Sequence, residues 1–216
     1  MSDPSFSESQ PPSRPPVQAR TILTIVRHGQ TSANIDHVWH GSTDTPLTAL
    51  GERQAERVAT YLAAHKRDAT RIYASPLTRA RNTAAPIAAK LGLEPTFDAD
   101  LREFGIGAWE GKSAKELHEV HDLWHHIETN PDYRPHGGES PRQVTLRMTG
   151  CLRALCARHP GERLIVVTHG GAVALALGAL LSAQKRFSHV MKNCAVTELA
   201  LEPVPELISF DIDAHL

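Results

Sequence analysis

Two histidine-glycine pairs stand at the ends of apolar runs: His28-Gly29 follows TILTIVR (Thr21 to Arg27), and His169-Gly170-Gly171 follows RLIVVT (Arg163 to Thr168). Arg27 adjoins the first histidine, and Ser75 and Arg79 sit in the turn after a third apolar run, RIYA, Arg71 to Ala74. Guanidinium forks match phosphate oxygens bidentately and helix N-termini add backbone donors, so two imidazoles with two guanidiniums make a compact site for a dianionic group. Glu103, on the Gly-rich segment LREFGIGAWEG, adds a titratable carboxyl. The set contains a nucleophile, an anion clamp and an acid, which are the needs of phosphoryl transfer. A neutral imidazole can attack phosphorus only if its other nitrogen is held as N–H, and a backbone carbonyl in the Gly29 turn is predicted to hold His28 that way. A dianion beside His169 should raise its pKa, and Glu103 near the same charge should move toward its neutral, proton-giving form.

These residues meet only if the strands that carry them lie side by side. TILTIVR and RLIVVT are apolar without alternation, the pattern of strands covered on both faces in a parallel sheet. RIYA reads as a shorter strand, with others around Thr96 to Asp98 and at CAVTELAL, Cys194 to Leu201. Between them, Thr48 can N-cap a helix with an apolar face of Leu50, Ala55, Val58, Leu62 and Ala63. A second helix follows SPLT and closes at Leu91-Gly92, with Pro86 weakening its middle. Ser113 with Glu116, and Ser140 with Gln143 and Pro141, form two capping boxes. The second announces a helix through Leu146, Cys151 and Leu155 to about His159, and a small apolar helix spans Ala172 to Leu181. Alternating strands and helices predict a three-layer α/β/α fold with a largely parallel central sheet and helices on both faces. Such sheets place sites at the carboxyl ends of strands, so His28 and His169 should face one crevice.

With 216 residues, 41% of them hydrophobic and 22% charged, the chain can bury one sizeable core. That core belongs to a single domain over residues 21–216, preceded by a Pro/Ser-rich tail over 1–20 that reads as disordered. Twenty-three Lys plus Arg against 24 Asp plus Glu give a formal charge of -1, which argues against a nucleic-acid partner. No run approaches the roughly 20 apolar residues of a membrane span, and no basic-then-apolar leader opens the chain, so no membrane partner and a cytoplasmic location are expected. Three Cys make no disulfide framework. Cys151 lacks the Arg six positions on that a cysteine phosphatase needs, because Ala157 stands there. His118, His121 and His125 fall at i, i+3 and i+7 after Ser113, so they could share one helix face. Glu119 and His121 do not complete an HExxH zinc motif, and a polar, lid-like face is the expectation, with no metal.

Five motifs occur in an order that resembles the histidine phosphatase superfamily, in its phosphoglycerate-mutase-like phosphatase branch. They are Arg27-His28-Gly29 with Thr31 and Asn34, the SPLxRAxxTA of Ser75 to Ala84, the LRE and WEG of Leu101 to Gly111, the GGES of Gly137 to Ser140, and the THGG of Thr168 to Gly171. The resemblance runs from about Thr21 to Leu201. It implies a phosphoglycerate-mutase-like fold, His28 as nucleophile, Arg27, Arg79 and His169 on the phosphate, Glu103 as proton donor and Asn34 lining the pocket. Gly41, Ser75 and Gly170 complete the expected substrate-binding set. His40 stands where relatives often carry Gln, which makes it a candidate for specificity. The implied activity is a phosphomonoesterase without metal or cofactor acting on a small phosphorylated metabolite, with a homodimer left open. Phosphomutase activity is the main alternative, weakened by the short cap of Lys112 to His136, and a noncatalytic phosphate-binding module is the other.

Overall fold

A computed structural model describes residues 19–135, 137–181 and 190–216. Its single sheet has six strands: β1 (Ile22–Arg27), β2 (Ala69–Ala74), β3 (Pro95–Phe97), β4 (Arg163–Thr168), β5 (Val196–Ala200) and β6 (Glu206–Ile212). They lie in the order β3-β2-β4-β1-β5-β6. The first four are mutually parallel, whereas β5 runs antiparallel to β1 and β6 antiparallel to β5. The sheet is therefore mixed, with the parallel strands running from the β3 edge to β1 and the antiparallel pair forming the other edge. β1 and β4 pair rung for rung from Ile22 opposite Arg163 to Arg27 opposite Thr168, so the two histidines leave adjacent strands at the same level.

Seven helices complete the fold among the described residues: α1 (Ser32–Ile35), α2 (Ala49–His65), α3 (Thr78–Leu91), α4 (Ala114–Glu119), α5 (Leu123–Thr129), α6 (Pro141–Arg158) and α7 (Gly170–Leu180). One face of the sheet packs Val26, Ile72, Ile165 and Val167 with Val58 and Leu62 of α2 and Ile87 of α3. The other packs Leu23, Ile25, Leu164 and Val166 with Met148, Leu152 and Leu155 of α6 and Val173 and Leu177 of α7. Burial on both sides explains why the central strands are apolar without alternation, each such side chain contributing about 1.5–3 kcal/mol on leaving water. α3 runs unbroken through Pro86 and closes on Gly92 in the left-handed conformation, φ 67°.

Several expectations need correction. Leu50, expected on the apolar face of its helix, is 39% exposed, and the inward stripe of α2 is Gly51, Ala55, Val58, Ala59 and Leu62, while α6 turns Val144, Met148, Cys151, Leu152 and Leu155 inward. β6 lies beyond the last strand foreseen. Most of the expected N-terminal tail, residues 1–18, lies outside the described residues. Arg20, inside the span of the expected tail, pairs with Glu206 at 2.7 Å and donates from Nε to the Glu202 carbonyl. The helix expected after Ser113 is two short ones, α4 and α5, broken at Asp122 with φ 46°. Ser113 accepts from the Glu116 N–H, but the Glu116 carboxylate turns to Lys112 instead of closing the box. No described helix is long and apolar enough to cross a membrane.

Candidate active site

Both histidines emerge where the β1–β4 ladder ends. The His28 N–H donates to the Thr168 carbonyl at 3.0 Å, and the two imidazole centroids lie 5.1 Å apart. His28 Nδ1 meets the Gly29 carbonyl at 2.7 Å, as the sequence predicts. A carbonyl can only accept, so Nδ1 carries the proton and Nε2 keeps its lone pair. Burial, then Arg27 and Arg79, push the His28 pKa well below that of an ordinary histidine and keep the ring neutral. The turn is braced by the Gly29 N–H donating to Thr83 Oγ1 at 3.0 Å and by Asn193 Nδ2 donating to the His28 carbonyl at 3.0 Å.

Arg79 enters from the first turn of α3 and is fully buried. It donates from Nε to His169 Nδ1 at 3.2 Å, from Nη1 to the Thr43 carbonyl at 2.9 Å and from Nη2 to the Gly41 carbonyl at 2.8 Å. With Nδ1 accepting, His169 bears its proton on Nε2, which faces Ser75 Oγ at 2.8 Å. Burial, then Arg79 and His28, hold the His169 pKa well below the usual value, the starting point from which a dianion would raise it. Arg27 donates from Nη1 to the Met191 carbonyl, while its Nε is buried with no partner among the described residues. Gly170 lets that side chain pass, since a Cβ there would lie 3.3 Å from Arg27 Nε and 2.3 Å from Val190 Cγ1.

His40 joins this group and is no solvated loop residue. Its ring lies 6.0 Å from His28 and its Nδ1 meets Thr45 Oγ1 at 3.0 Å. Burial, then Arg79 and Arg27, bring its pKa to about 4. A recess of 330 Å³ opens beside it, lined by Ser32, Asp36, Thr43, Thr45 and Glu110 among others. Asn34 is less directly placed: its Oδ1 accepts from the Thr31 N–H and from Asn193 Nδ2, both at 3.1 Å, so it braces the turn through Asn193.

Glu103 accepts three backbone N–H bonds, from Phe104 at 2.8 Å, Gly171 at 3.0 Å and Ala172 at 2.7 Å. The last two tie it to the N-terminus of α7. Its loop is clamped by Arg147, which donates to the carbonyls of Asp100, Arg102 and Glu103 and pairs with both oxygens of Glu139. Sequence reasoning assigned no role to Thr83, Arg147, Asn193 or Glu139. Thr83 and Glu139 lay inside quoted motifs, but Arg147 had no signal that separates it from a solvated helix residue.

The His118, His121 and His125 set does not assemble. His121 stacks on Trp109 at 4.4 Å, the break at Asp122 separates it from His125, and no metal-ligating cluster forms among the described residues.

The family model of the histidine phosphatase superfamily (branch 1) matches residues 23–206. A probable phosphoglycerate mutase GpmB of Cronobacter sakazakii is 35% identical over 195 residues, covering 86% of this chain and 87% of the relative. Phosphoglycerate mutase-like protein 4 of Arabidopsis thaliana is 38% identical over 156 residues, covering 70% and 67%. Among solved structures, mycobacterial glucosyl-3-phosphoglycerate phosphatase with VO3 superposes with a TM-score of 0.79 at 30% identity, over 90% of this chain and 100% of that one. Phosphoserine phosphatase of Entamoeba histolytica, in complex with 3-phosphoglyceric acid, gives 0.81 at 27%, over 91% and 99%.

Proposed function

The chain belongs to the histidine phosphatase superfamily, branch 1, and from that membership we propose that it is a phosphatase that hydrolyses a small phosphomonoester through a phosphohistidine on His28. The observation that carries this reading is the neutral His28 imidazole, fixed by the Gly29 carbonyl, 5.1 Å from His169 and flanked by Arg27 and Arg79. His28 Nε2 attacks phosphorus as the ester P–O bond breaks, and Glu103 gives its proton to the departing alkoxide. The unpartnered Arg27 Nε–H and the remaining N–H groups of Arg79 hold the nonbridging oxygens, and the His169 Nε2–H joins them by exchanging Ser75 Oγ for a phosphate oxygen, so His169 serves as a neutral donor. Water then attacks the P–N bond, Glu103 accepts its proton, and inorganic phosphate leaves a neutral His28. Two of the three backbone donors bond Glu103 Oε1 and one bonds Oε2, which leaves Oε2 a lone pair for that proton.

Steady-state phosphate release across a metabolite panel, run beside His28→Ala, tests the reading: the variant should lose at least about a thousandfold in kcat. Chemistry that needs no metal should survive EDTA, and full loss restored by one divalent ion would reject it. The names of the sequence relatives favour a second reading, a phosphomutase returning the phosphoryl group to an acceptor hydroxyl. Turnover of an aryl phosphate without acceptor separates the two, since a mutase should be slow there.

A further inference from the structure

Arg79 is held by two carbonyls, those of Gly41 and Thr43, on a segment with no helix or strand of its own. Ser42 and Thr43 are exposed, so burial does not fix that segment. Glu110 does. Its Oε1 accepts from the Ser42 N–H at 2.8 Å, and its Oε2 accepts from the Thr43 N–H at 2.7 Å and the Thr43 hydroxyl at 2.6 Å. The Ser42 N–H and the Gly41 carbonyl belong to one planar trans peptide, in which N–H and C=O point in opposite directions. Anchoring that N–H on Glu110 therefore aims the carbonyl at Arg79. Close approach is built in, since a Cβ on Gly41 would lie 2.4 Å from the Phe104 carbonyl oxygen and 2.7 Å from Glu110 Oε1. At the far end of the segment Asp44 accepts from the Thr78 N–H at 2.8 Å, next to Arg79 itself.

We propose that Glu110 is a positioning residue for the phosphate clamp, acting on Arg79 through the Gly41 and Thr43 carbonyls. The proposal rests on the reading of this site as a phosphate site. Glu110 also contributes a negative charge that favours the charged form of Arg79. A merely structural staple would behave differently: the N–H groups freed by its loss lie on an exposed segment and find water, so folding is little affected while the aim of Arg79 is lost.

The experiment compares Glu110→Ala and Glu110→Gln in the wild-type and Arg79→Lys backgrounds. It reads affinity for inorganic phosphate by calorimetric titration, Tm, and kcat and KM on an aryl phosphate. Glu110→Ala should weaken phosphate binding roughly tenfold or more through the loss of charge-assisted bonds, with most of the kinetic loss in KM. Glu110→Gln keeps one acceptor and should fall between, and it carries the test if the alanine variant fails to fold. In the Arg79→Lys background the effect should shrink to about twofold or less, because the two residues act in series. Equal losses in both backgrounds, or a lowered Tm with unchanged phosphate affinity, would overturn the proposal. A wild-type protein that binds phosphate without hydrolysing esters would sink the phosphatase reading instead, leaving the binding comparison to decide the role of Glu110.

Discussion

His28, His40 and His169 are buried and gathered about one crevice, whereas His118 and His125 are exposed on the two short helices of the cap and His121 is half-buried in the turn between them. The first three are delivered by strand ends and by a loop tied to them, and each has a nitrogen fixed by a named partner: the Gly29 carbonyl, Thr45 and Arg79. The cap histidines face solvent or stack on aromatic rings. The residue type is identical in both places. What separates them is whether the ring is enclosed and fixed by a named partner beside the guanidiniums, which sets its burial and protonation state.

The largest expected effect that would break this contrast is at His28. His28→Ala should abolish turnover by about a thousandfold or more, and activity retained at wild-type level would erase the distinction. His169→Ala should cost about a hundredfold in kcat through loss of an oriented donor, measured on the same ester. Arg147→Met sharpens the contrast from the loop side. It leaves Glu139 without its guanidinium and frees the Glu103 loop, so about 1–3 kcal/mol of stability and a several-fold drop in kcat are expected from denaturant melts and steady-state rates.

Acid stability separates the groups next. The folded pKa of His40, about 4, lies below the ~6.5 of an unfolded histidine, so the unfolded chain binds more protons between those values. That contribution is complete above about pH 6.5 and is lost as pH falls toward 4, and the directions at His28 and His169 add to it. Tm measured against pH should decline through this window, and His40→Gln should flatten the decline. The smallest effects belong to the cap: His118→Asn and His125→Asn should leave kcat/KM within about twofold and stability within about 0.5 kcal/mol. A large loss there would give the cap histidines a part in the site.

Much of this contrast is legible in the amino-acid order, because doubly covered strands must be apolar throughout and His-Gly at their ends marks the exit points. β4 was readable residue for residue from RLIVVT for that reason. β6 was not, since ELISFDI is a half-exposed outer strand that mixes charge with apolar residues. The α4–α5 break gives no Gly or Pro signal, as Asp122 adopts the left-handed conformation itself. Leu50 stands beside the apolar stripe of α2 yet is 39% exposed, because periodicity fixes spacing and not where the inward stripe ends. The lowered pKa of His169 comes from burial and then from Arg79, ninety positions away in sequence, and only tertiary packing supplies either.

The six matched rungs between β1 and β4 carry one more consequence. Imidazole spacing is written into the main-chain ladder, so exchanges among Ile, Val and Leu along those strands should alter how firmly the molecule holds together without retuning the distance between the His28 and His169 rings. A slip by a single residue would turn one imidazole toward the opposite side of the sheet. Divergence toward new esters is thereby channelled into the peripheral segments, where backbone can shift without disturbing that spacing.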